Sequence, residues 1–86
     1  MPELSRFLGI VIKMYTNDHP PPHFHAIYGE YEVVIRIDTL APMAGQLPPR
    51  AFGLVIEWAT RHKDELVEAW RKAENLEPPG RIDPLD

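Results

Sequence analysis

The dipeptide Gly29-Glu30 stands between two runs, His23–Tyr28 and Tyr31–Asp38, in which apolar residues alternate with polar ones. Two residues between alternating runs read as a tight β-hairpin, and glycine in the first position selects a type II′ turn. Such a turn fixes the register, so that Tyr28 faces Tyr31, Ala26 faces Val33 and Phe24 faces Ile35. One face then carries Phe24, Ala26, Tyr28, Tyr31, Val33, Ile35 and Ile37, a set suited to a core. The other carries His23, His25, Ile27, Glu32, Val34 and Arg36, with His23 across from Arg36 and His25 across from Val34. Both imidazoles are expected on the outer face of the sheet.

The rest of the chain is placed around this hairpin. Gly9–Tyr15 is rich in β-branched residues and reads as a strand, with Ile10, Ile12 and Met14 on one face and Val11, Lys13 and Tyr15 on the other. The second face is only half polar, which suits a central strand. Met1–Phe7 reads as a lead-in. Thr16–Pro22 is a loop stiffened by three consecutive prolines, which restrict the flanking His19 and His23. Thr39–Pro49 is irregular, with room for a short edge strand over Met43–Leu47.

From Arg50 to about Glu74 the period becomes helical: Phe52, Val55, Ala59, His62, Leu66 and Trp70 form one stripe. Pro48 and Pro49 suit its start, and a kink or break is expected within Thr60–Lys63. The expected fold is α+β: a three- to four-stranded antiparallel sheet, built from the hairpin 23–38 and the N-terminal strand, packed against one long C-terminal helix. Residues 1–77 read as a single domain and 78–86 as a mobile tail.

Composition narrows the chemistry. The 86 residues contain no cysteine, so thiolate ligands, disulfides and cysteine nucleophiles are excluded. A net charge of −4 speaks against non-specific DNA binding, which needs clustered lysine and arginine. No apolar run is long enough to span a bilayer and no signal peptide is visible, so a cytoplasmic protein is expected.

Three of the four histidines lie in the stretch Asp18–His25. His23 and His25, two apart on a strand, point the same way and can offer two nitrogens to zinc or copper, with His19 or Asp18 as a third ligand. The same imidazoles could act as acid and base in a metal-independent ribonuclease, with Lys13 and Arg36 stabilising phosphorane charge. In the third reading the prolines and Phe24 pin a loop, and the histidines only support it. His62, on the apolar stripe, reads as a core histidine, and Trp58 and Trp70 as packing residues.

The segments SRFLGIVIKMY, DHPPPHFHAIYGEYEVVIRI and LPPRAFGLVIEWATRHKDEL, together with Trp70, resemble the domain of unknown function 4160 family of small bacterial proteins. The resemblance runs from Pro2 to Trp70 and departs at Gly53, where a larger helix-favouring residue is usual. It implies a neighbouring gene for a small protein of the domain of unknown function 2442 family, an arrangement like a toxin–antitoxin pair. By that analogy the chain is one component, with the role of toxin open to it, and binds a small partner protein encoded in the same two-gene operon. The positions carried over are Asp18, His19, His23, Phe24, His25, Gly29 and Glu30, and Pro22 joins them as a candidate contact residue. Three functions follow: a protein-binding module, a histidine-dependent ribonuclease acting on RNA, or a zinc- or copper-binding domain.

Overall fold

A computed structural model describes residues 3–86. The lead-in and the 1–77 domain both begin at residues 1 and 2, which lie outside the described part. Five strands form one antiparallel meander in chain order: β1 (Glu3–Phe7), β2 (Ile10–Lys13), β3 (His23–Tyr28), β4 (Tyr31–Arg36) and β5 (Pro42–Gln46). Helices α1 (Pro49–Arg61) and α2 (Lys63–Glu74) follow. The α+β class is as expected, while the sheet has five strands rather than three or four and the helix is two.

The central hairpin takes the expected register, Tyr28 with Tyr31 through His23 with Arg36. Gly29 adopts φ +60° and Glu30 stays at negative φ, as a type II′ turn requires. β2 is indeed internal, paired with β1 on one side and β3 on the other. Ile10, Ile12 and Met14 are fully buried, while Val11, Lys13 and Tyr15 are half-buried on the other face.

The additional strand is β1, read from sequence as lead-in. Its apolar residues Leu4 and Phe7 are three apart, which breaks the period of two. An irregularity between Glu3 and Ser5 lets both turn inward. The turn to β2 uses Leu8 and Gly9 at φ +50° and +83°, and leucine in the first of these positions hides the hairpin from a composition-based reading. β5 lies one residue earlier than the expected edge strand. Gly45 at φ +73° packs so closely on β4 that a Cβ there would sit 2.1 Å from the Glu32 carbonyl oxygen.

The core lies between the inner face of the sheet and the two helices. Trp58 is fully buried, with its ring centroid 5.6 Å from Phe7 and 6.0 Å from Phe24. Tyr28 and Tyr31 lie on the expected face but stay 38% and 42% exposed at the hairpin tip. The helical stripe is interrupted at His62, whose φ of −120° and ψ of 25° end α1 and start α2. This falls within the stretch expected to break.

The tail past Pro78 has no regular structure, yet it is packed. Ile82 and Leu85 are buried, the Ile82 N–H donates to the Leu4 carbonyl at 2.8 Å, and Trp58 Nε1–H donates to the Asp83 carbonyl at 2.8 Å. Arg81 pairs with Glu3 at 3.0 Å.

Candidate functional site

The loop between β2 and β3 is tied down at several points. The Asn17 N–H donates to the Ala73 carbonyl of α2, and the Ile37 N–H donates to the Pro22 carbonyl. These anchors bring Asp18 back over the first residues of β3, onto the side where the pleat places His23 and His25. One ligand atom from each of Asp18, His23 and His25 lies within 4.8 Å of the others.

The orientation of each ring is set from behind. His23 Nδ1 lies 2.7 Å from the Pro21 carbonyl oxygen, which can only accept, so Nδ1 carries the proton. His23 Nε2 therefore faces Asp18 Oδ2 at 2.9 Å. His25 Nδ1 lies 3.0 Å from Glu32 Oε2, and its Nε2 is aimed at the same Asp18 Oδ2 at 3.6 Å. That second nitrogen is buried and makes no hydrogen bond. Both Nδ1 atoms thus carry oxygen partners, and both Nε2 atoms converge on one carboxylate oxygen.

This pattern of backing groups is the one that orients metal-binding histidines. Donors roughly 2.0–2.1 Å from one tetrahedral zinc ion lie about 3.3 Å apart. The separations of 2.9 and 3.6 Å fall on either side of that spacing. With neutral rings, two nitrogen lone pairs face a carboxylate oxygen, and a shared cation removes the repulsion. The residues present therefore fit a divalent ion.

Aromatic rings enclose the cluster. Trp70 of α2 lies 5.1 Å from the His23 ring, and Tyr15 meets the His25 ring edge-on at 4.6 Å. His23 is therefore on the outer face, as expected, but buried beneath the loop and α2 rather than exposed. Burial pushes the Asp18 carboxyl up, but the His19 N–H together with His23 and His25 outweighs it and holds the group below the usual aspartate value.

The other sequence candidates are distributed differently. His19 is exposed and contributes its backbone N–H to Asp18 Oδ1 at 2.8 Å, and its ring is not part of the convergent group. Arg36, though across from His23, directs its guanidinium to Asp38 at 2.7 and 2.9 Å. Lys13 is paired with His25 across β2 and β3, and has no carboxylate partner among the described residues. Phe24 is fully buried against Trp58, and Glu30 is exposed at the hairpin tip. His62 is half-buried, with Nδ1 2.5 Å from Glu65 Oε1 and its ring 5.4 Å from Trp58.

Glu32, which the sequence places on the outer face without assigning it a role, holds His25. The register contained that signal, because Glu32 lies on the same face as His25 and diagonal to it. Trp70 over His23 had none, since the contact joins residues from two distant segments.

No curated protein and no solved structure matches the chain. The family model described as Domain of unknown function (DUF4160) matches residues 9–71, a span holding the β2–β3 loop, all three convergent residues and Trp70. It covers well over half of the sequence, and the chain belongs to that family.

Proposed function

We propose that this protein is a metal-binding domain in which Asp18, His23 and His25 hold one divalent transition ion, zinc by preference. One observation carries the reading: both Nε2 atoms point at Asp18 Oδ2 while both Nδ1 atoms are held from behind, which leaves the buried His25 Nε2 without a hydrogen bond. Two imidazoles and a carboxylate suit zinc, and imidazole also suits copper. The ion joins the proline-rich loop to the start of β3. Three protein ligands leave a coordination position free for an exogenous group.

Metal-stripped protein given zinc and then dialysed should retain about one equivalent. His25→Ala and Asp18→Asn should each lose it while keeping the far-ultraviolet spectrum of the parent. Retention of less than about a tenth of an equivalent by the parent sinks the reading.

A second reading is favoured by the sheet edges. The β1 edge is covered by the tail, whereas β5 is exposed along its whole length and carries Met43 at 44% exposure. An open edge accepts a strand from another chain. On this reading the domain is the component of a toxin–antitoxin-like pair, acting in the cytoplasm by binding its small partner protein. Mixing the two purified proteins should slow amide exchange at Met43–Gln46, and unchanged exchange there despite a stable complex removes β5 as the contact.

A further inference from the structure

We propose that the free coordination position at the Asp18, His23 and His25 centre takes a small oxyanion of the phosphate class, with Lys13 as the second positive charge that holds it. The inference rests on the metal-centre reading and adds to it the ligand class.

Lys13 stands directly opposite His25 in the β2–β3 ladder, and residues in such a pair project to the same face with their Cβ atoms roughly 5 Å apart. A lysine reaches well beyond that distance. Lys13 forms no ion pair among the described residues, whereas Arg36, the other cation of this part of the face, is committed to Asp38 through two hydrogen bonds. The carboxylates near the centre are also engaged: Glu32 holds His25, and Asp18 faces both histidines while accepting the His19 N–H. Lys13 is thus the charged side chain beside the centre that remains uncommitted.

The charge balance favours an anion. Glu3, opposite Lys13 in the β1–β2 ladder, is held by Arg6 and Arg81, so a divalent ion and Lys13 together exceed Asp18 and Glu32 by one positive charge. Exposure indicates the side of approach, since the Asp18 side chain is 25% accessible against 9% and 15% for His23 and His25. Tyr15 and Trp70 pack against the imidazoles and limit the space next to the ion. A compact oxyanion is the simplest bridge between the two charges: one oxygen completes the metal's coordination while another accepts a charge-assisted hydrogen bond from the lysine ammonium.

The test uses the full chain loaded with cobalt(II), whose visible spectrum reports coordination. Inorganic phosphate should change that spectrum saturably, and phenyl phosphate should compete with it if the anion can be the end of a larger ester. Lys13→Gln should keep its cobalt and weaken phosphate binding by about tenfold or more. Binding of phosphate but not phenyl phosphate restricts the ligand to the free ion and leaves the site intact. A cobalt spectrum that phosphate does not alter, or a Lys13→Gln protein that binds phosphate like the parent, overturns the inference and spares the metal centre. Failure to take up cobalt at all defeats both readings.

Discussion

Single residues in this fold differ in how far their surroundings dictate them. Gly45 is required, because its φ is left-handed and any Cβ would strike the Glu32 carbonyl. Gly53 is the opposite case: it lies within α1, is exposed, and has nothing within 4 Å of where a Cβ would stand. Glycine costs a helix interior about 0.8–1.0 kcal/mol relative to alanine. Gly53→Ala should therefore raise stability by about that amount, read as a higher denaturation midpoint with an unchanged denaturant slope. An unchanged midpoint would mean that α1 is held by packing so strongly that local propensity no longer counts.

At the scale of elements, legibility followed the range of the interactions. The β3–β4 hairpin was readable to the residue because a two-residue turn and period-two alternation act over neighbours. The break between α1 and α2 was readable in place, while the helix count was not. β1 was illegible because its inward residues are offset by an irregularity and its turn begins with leucine. The candidate site divides in the same way. His23 and His25 follow from strand periodicity alone. The choice of Asp18 over His19 depends on how the loop returns over β3, which the Asn17–Ala73 and Pro22–Ile37 hydrogen bonds decide. Those anchors join segments far apart in the chain, and no local pattern announces them.

At the scale of the whole molecule, the tail supports the side of the core that β1 begins. Ile82 and Leu85 bury apolar surface, and Asp83 supplies the acceptor for the indole N–H of Trp58. Full burial of one such aliphatic side chain is worth about 1.5–3 kcal/mol, partly offset by ordering the chain. Removal of residues 81–86 should destabilise the domain by about 3 kcal/mol and raise amide exchange in β1 before the other strands. If chemical denaturation leaves the two forms equally stable, the tail contacts contribute nothing net. A second outcome is also informative: exchange that rises in all five strands together would show that β1 is no separate unit.

The hydrogen bond from Ile82 to Leu4 also sets an order in time. On a ribosome β1 is made before the rest of the described chain, and the residues that cover its outer edge are made only after both helices. The β2–β4 meander and the helices can assemble from neighbouring segments as they emerge, because each strand meets the next one in sequence. Until residues 82–85 have been translated, β1 presents an uncovered edge, and Trp58 lacks the acceptor for its indole N–H. The nascent domain therefore carries an adhesive flank until both helices have been made, and the segment that closes it is translated after them.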